Sequence, residues 1–203
     1  MAAKAKTKSR TKARPARSSA PSRRTTSRPR TRGHAALATV ARQMTEEMES
    51  RAIPTDAIAM LEQDHREVEA FFDEFEELKE NSEKQELARK ICVALTVHAE
   101  LEEQAFYPPA RKALGKDDED MIDEAEVEHM SAKQLIAEIE AMTPRDKLFD
   151  AKVKVLGEYI KHHVKEEEQE MFPKLRETDM DLEGLAETMA DKKMKLFQKL
   201  GRK

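Results

Sequence analysis

Between residues 56 and 171 apolar side chains recur at spacings of three and four, in four blocks of similar length, and this periodicity restricts the segment to packed helices. The first block, about 56–79, carries Ile58, Leu61, Val68, Phe72 and Phe75. The second, about 82–106, carries Leu87, Ile91, Leu95 and Ala105. The third, about 117–141, has Ile122, Ala125, Ala132, Ile136 and Ile139, and the fourth, about 145–171, has Phe149, Val153, Leu156 and Ile160. Prolines punctuate the blocks: Pro54 ahead of the first, Pro108-Pro109 after the second, Pro144 after the third and Pro173 after the fourth. Thr55 is the expected N-cap of the first helix, with Asp56 in its first turn, where negative charge favours the helix dipole. Short connections between four amphipathic helices predict an all-α fold, an up-down-up-down antiparallel four-helix bundle over residues 55–175. A chain with five glycines, no tryptophan and 38% charged residues supports helix over sheet.

The flanks differ from this body. Residues 1–33 contain twelve of the 37 Lys and Arg and no acid, leaving 25 basic against 41 acidic side chains, a formal charge of −16, on the rest. With no large apolar residue after Met1, residues 1–34 are expected to be a disordered basic tail. Residues 35–54 form a linker or short helix, and 176–203 a C-terminal extension with a short amphipathic helix at about 181–200, packed outside the bundle or fraying from it. No apolar run has the length of a membrane span, and no apolar stretch follows the basic N-terminus as a secretory leader requires. The single cysteine, Cys92, suits the core of a cytoplasmic protein.

Each apolar stripe is interrupted by a histidine: His65, His98, His129 and His163. His98 and His163 are each followed at i+4 by a carboxylate, Glu102 and Glu167, on the same helical face. One such histidine is more often a satisfied core group than a ligand. Four of them, one per helix, with two acids beside them, would cost several kcal/mol per unpaired ion to bury. A bound metal removes that cost by taking up the imidazole lone pairs and neutralising the carboxylates. The pattern also repeats. Glu62-Gln63-Asp64-His65 matches Glu126-Val127-Glu128-His129 at a shift of 64, and His98 through Pro108 matches His163 through Pro173 at a shift of 65. A twofold set of ligands is what a dinuclear centre needs, and mixed His and carboxylate ligation suits iron or manganese.

At DHREV (64–68), HAELEEQAFYP (98–108), EHM (128–130) and HHVKEEEQEMFP (162–173) the chain resembles the hemerythrin-like, HHE cation-binding family. The resemblance implies two non-haem iron ions held by His65, His98, Glu102, His129, His163 and Glu167, bridged by Glu102, Glu167 and an oxo or hydroxo group. Oxygen-carrying members have a further histidine where this chain has Ala125, a departure that argues against simple oxygen transport. With about six positions per ion, this set leaves about one exchangeable position on each metal. Glu62 and Glu126, three residues before His65 and His129, are possible additional ligands that would close the centre. His162 is a further candidate, although it lies about 100° around the helix from His163. Tyr107 and Phe172 read as helix-end packing.

Three functional expectations follow. The first is binding or sensing of O2, NO, peroxide, iron or redox state. The second is an enzyme consuming peroxide, with no catalytic side chain assigned. The third is a DNA-associated iron protein, located on the nucleoid, whose residues 4–32 bind nucleic acid without sequence preference. In that third reading the acidic body competes with phosphate for the tail.

Overall fold

The computed structural model describes residues 30–52, 54–116 and 118–202, and the described residues are helical with no strand. The expected disordered tail lies outside the described residues up to position 29. Helix α1 (Arg30–Glu49) starts inside the stretch assigned to that tail and ends ahead of position 54, where the expected linker or short helix ends.

Helices α2 (Ala57–Glu77), α3 (Asn81–Leu101), α5 (Asp120–Glu140) and α6 (Phe149–Glu166) correspond to the four sequence blocks. Packing of α2 on α3, α3 on α5, α5 on α6 and α6 on α2 closes a ring. Inside it lie Ile58, Leu61, Ile91, Ile122, Ile139, Phe149 and Leu156, all fully buried. Burying side chains of this size stabilises by roughly 1.5–3 kcal/mol each, which is what holds the helices together. Cys92 is in this core, and burial pushes its thiol pKa up.

The N-cap of α2 is Asp56 rather than Thr55: its Oδ1 accepts the Ala59 amide at 2.8 Å. Helix α5 starts later than expected. Gly115 closes the preceding helix at φ 73°, a left-handed conformation that favours glycine, and turns occupy Lys116, Asp118 and Glu119. Helix α6 also starts late, because Asp146 Oδ2 accepts from the amide and hydroxyl of Thr143 at 2.7 and 2.8 Å and fixes a turn there.

The largest difference from expectation is at the prolines. Neither Pro108-Pro109 nor Pro173 ends its helix. After α3 the chain makes a π-helical turn (Glu102–Phe106) and continues as α4 (Tyr107–Leu114). After α6 it makes another (Glu167–Met171) and continues as α7 (Phe172–Arg176). Each turn is closed by an i→i+5 bond, Tyr107 N–H to Glu102 O and Phe172 N–H to Glu167 O. The prolines stand at the first positions of the restarted helices, where a missing N–H costs little.

Helix α8 (Leu182–Gly201), capped by Asp181 on the Gly184 amide, packs against α1, α2, α3 and the first π turn. Helix α1 packs in turn on α8 and α3. The C-terminal segment is therefore docked rather than frayed, and it buries Ala186, Met189, Leu196 and Phe197. This layer explains why α3 is buried beyond its stripe, at Ala88, Val93 and Val97. No helix among the described residues is long and apolar enough to cross a membrane.

The cap assignment is checked by urea unfolding. Asp56→Ala is expected to cost about 1 kcal/mol, whereas Thr55→Ala stays within about 0.5 kcal/mol of the parent. Equal losses in the two variants would contradict it.

Candidate metal centre

The four stripe histidines and the two i+4 glutamates meet inside the ring of helices, and all six are buried. Their Nε2 atoms point inward in two pairs. His65 and His98 are 3.3 Å apart, as are His129 and His163. Glu102 joins the pairs, its Oε2 being 3.2 Å from Nε2 of both His98 and His129. Glu167 does the same from the opposite repeat, with Oε2 at 3.3 Å from His65 and 3.5 Å from His163. Both glutamates sit at the first position of a π turn. The extra residue in that turn directs the carboxylate inward while the chain beyond it restarts as helix.

Behind each imidazole stands another carboxylate. His65 Nδ1 meets Glu168 at 2.8 Å, His129 Nδ1 meets Glu103 at 3.1 Å and His163 Nδ1 meets Glu128 at 2.9 Å. His98 Nδ1 lies 3.5 Å from Asp64. An ionised carboxylate only accepts, so each bonded Nδ1 donates, and in the neutral imidazole that a metal takes this leaves the Nε2 lone pair facing the centre. Cations hold three of the four backing acids: Arg66 on Glu168 at 2.5 Å, Lys133 on Glu103 at 2.5 Å, and Lys193 of α8 on Asp64. These four acids interrupt no apolar stripe, the feature that marks the histidines. Their signal was there in the same repeat: Asp64 and Glu128 each precede a histidine, and Glu103 and Glu168 each follow a buried glutamate.

This arrangement shifts the protonation equilibria. Burial works to lower the His65 pKa, but the adjacent carboxylate of Glu167 and the hydrogen bond with Glu168 raise it to about 10. His129 is likewise raised to about 9, with Glu102 and Glu103 outweighing burial. Burial opposes ionisation of Asp64, yet Lys193 and His98 bring it down to about 2. The His129 hydrogen bond, against burial and with help from Lys133, brings Glu103 to about 2. Burial likewise opposes ionisation of Glu167, but the facing histidines hold its pKa below the usual carboxylate range.

Tyr107 is not merely helix-end packing. Its hydroxyl donates to Glu167 Oε1 at 3.0 Å, lies 3.4 Å from His129 Nε2, and its ring stacks on that imidazole. The residue at the matching place in the other repeat, Phe172, stacks on His65 without a hydroxyl. The two halves are thus alike in ligand geometry and unlike in polarity. Glu62 and Glu126 are not brought to the centre. Both are about half exposed, beside Arg176 at 3.9 Å and Arg111 at 3.5 Å, because a step of three residues turns about 300° and leaves their side chains about 60° around the helix from the histidines. His162 is exposed, with its Nε2 at 3.1 Å from Glu166.

The buried donors fit a metal. Both oxygens of Glu102 and Oε2 of Glu167 are buried without a hydrogen-bond partner among the described residues. Atoms bonded to one ion at about 2.1 Å stand about 3.0–3.4 Å apart, and the Nε2 and oxygen separations above run from 3.2 to 3.5 Å. Two overlapping groups result: His65, His98, Glu102 and Glu167 in one, and Glu102, His129 and His163 in the other.

Comparison with known proteins agrees with this chemistry. The profile of the hemerythrin HHE cation binding domain matches residues 56–175. A curated protein of Nostoc sp. strain PCC 7120 described as a DNA nickase is 30% identical over 145 residues; the match covers 70% of this chain and 40% of that protein. A crystal structure of a hemerythrin HHE cation binding domain-containing protein from Mycobacterium kansasii superposes with a TM-score of 0.60 at 21% identity, covering 72% of this chain and 89% of that one.

The pKa shifts give a pH dependence with a definite sign. In chelator-treated protein, the contribution of His65 and His129 is complete below the unfolded value of about 6.5 and is lost as pH rises through about 9 and 10. The contribution of Asp64 and Glu103 is present above the unfolded value of about 4 and is lost as pH falls through about 2. The Tm of metal-free protein is therefore expected to fall between pH 7 and 10. Metal-loaded protein should fall less, since metal takes the neutral imidazole. A metal-free Tm that climbs over that interval would contradict the geometry.

Proposed function

The chain belongs to the hemerythrin HHE cation-binding family, and on that premise we propose that its helices, running up-down-up-down, hold two non-haem iron ions that bind or sense a small molecule: O2, NO or peroxide. His65, His98, Glu102 and Glu167 would hold one ion; Glu102, His129 and His163 would hold the other, with Glu167 also 3.5 Å from His163. The observation that carries this reading is the shared Glu102, whose single oxygen stands 3.2 Å from a histidine of each pair. When bound, the iron pair supplies an exchangeable coordination position and a two-electron couple.

The protein's own residues define what reaches that position. A cavity of about 20 Å³ lies among His65, His98, His129 and His163 under Val68, Leu95, Ala132 and Ile136. That is room for about one water-sized molecule against an apolar wall, which favours a diatomic ligand or peroxide over an organic substrate. A larger cavity, about 600 Å³, runs between α2 and α6 past Phe72, Val153 and Gly157 and reaches His65. Buried Tyr107 keeps its proton, because burial and the adjacent glutamates hold its pKa well above that of a free phenol. It therefore holds Glu167 as a hydrogen-bond donor.

Metal analysis with optical spectra of the reduced protein, exposed separately to O2, NO and peroxide, tests the proposal. Two iron per chain and a spectral response to one of these are expected, and His98→Ala should reduce the iron to one or none. Iron unchanged in that variant would end the assignment. Rapid turnover of peroxide, lost with His98, would move the reading from sensor to enzyme.

A second reading rests on the cations of residues 4–32 together with the description of the Nostoc relative. The chain spans 40% of that relative, and an arm of this kind binds phosphate without reading sequence. DNA binding is then expected to weaken steeply between 50 and 200 mM salt, by roughly 10³-fold or more, and to vanish on deleting residues 1–33. Binding retained by the truncated chain would exclude the arm.

A further inference from the structure

A second group of ligand-type side chains lies at the surface beside the buried centre. Glu128 comes from α5, and His162 and Glu166, one turn apart, come from α6. His162 Nε2 is 3.1 Å from Glu166 Oε1 and 3.7 Å from Glu128 Oε1, and one donor atom of each residue falls within 4.8 Å of the others. The remaining oxygen of Glu128 turns inward and holds Nδ1 of His163 at 2.9 Å. A cavity of about 190 Å³ between α5 and α6 is lined by exposed His162, by Glu128, and by the buried His129 and His163.

The internal repeat sets this group apart. In the first half the corresponding positions are Asp64, Val97 and Leu101. Val97 and Leu101 are buried on α3, which α1 and α8 cover, and Asp64 is held by Lys193. One half is therefore sealed, with an ammonium over its backing acid. The other is open and has an imidazole and a carboxylate where the first has two apolar residues. Asp64, Glu103 and Glu168 each hold a Lys or Arg, whereas Glu128 is faced by His162.

We infer that Glu128, His162 and Glu166 form a surface site for a divalent transition-metal cation, and that metal loads into the buried centre from there along the α5–α6 cavity. One imidazole and two carboxylates suit Fe2+, Mn2+ or Co2+, and their two negative charges balance the ion. Glu128 links the stages: its outer oxygen belongs to the surface group and its inner oxygen holds His163. Lys193 blocks the equivalent path in the first half by repulsion. This inference rests on the buried centre being a metal site.

The full chain, stripped of metal and mixed with Co2+ in a stopped-flow instrument, provides the test through the visible absorption of cobalt in the buried centre. The His162→Ala, Glu166→Gln double variant is expected to load about tenfold more slowly at limiting cobalt and to reach the same final occupancy of the buried centre. Glu170→Gln, which removes a neighbouring charge outside the group, should change the rate less than twofold. Protein already loaded with zinc should bind one additional, exchangeable Mn2+ by electron paramagnetic resonance, and the double variant should not. Wild-type loading in the double variant, equal slowing by Glu170→Gln, or no additional Mn2+ overturns the surface site and leaves the buried centre standing. A chain that takes up no cobalt overturns both.

Discussion

Glu102 and Glu167 place two carboxylates in an interior from which water is excluded, and the rest of the molecule is arranged around that fact. Leaving such groups unpaired costs several kcal/mol each. Four imidazoles face them, three further acids hold imidazoles by hydrogen bonds from behind while Asp64 lies beside the fourth, and lysine or arginine neutralises three of the outer acids. A cation of charge two or more would offset the two inner carboxylates and leave the imidazoles neutral, which is the physical content of a cation-binding fold in this chain.

The helical body was legible in the sequence because a stripe of period 3.6 leaves little choice of structure, and the inner histidines were legible because each interrupts such a stripe. Asp64, Glu103, Glu128 and Glu168 were not, since a charged residue beside a ligand looks the same whether it faces solvent or an imidazole, and only the crossing of helices decides. The prolines misled for a related reason. Pro108 reads as a stop when the helix before it is assumed to keep its i→i+4 register, and the π turn alters that register just before the ring. Whether α8 docks or frays was left open, because the contacts that decide it reach α1, α2 and α3, far away in sequence.

The two halves of the repeat differ in their surroundings while keeping their inner geometry. Tyr107 stands on one side where Phe172 stands on the other, and Asp64 with its lysine matches Glu128 with an exposed imidazole. The α1–α8 layer covers one half and leaves its counterpart on α5 and α6 uncovered. A symmetric scaffold thus carries an asymmetric surround, and polarity, access and charge at the two donor groups follow the surround.

The two π turns have a consequence for chain length. Each inserts one residue relative to an α-helical turn, and one residue of α-helix is a rotation of about 100°. Deleting one residue between Glu102 and Tyr107, or between Glu167 and Phe172, would restore the regular register. It would also swing α4 or α7 by that angle relative to the glutamate before it, carrying Tyr107 or Phe172 off its imidazole. Spacing is therefore as much a part of the inherited information as side-chain identity: conservative substitutions in these stretches can be absorbed, and a deletion of one codon cannot.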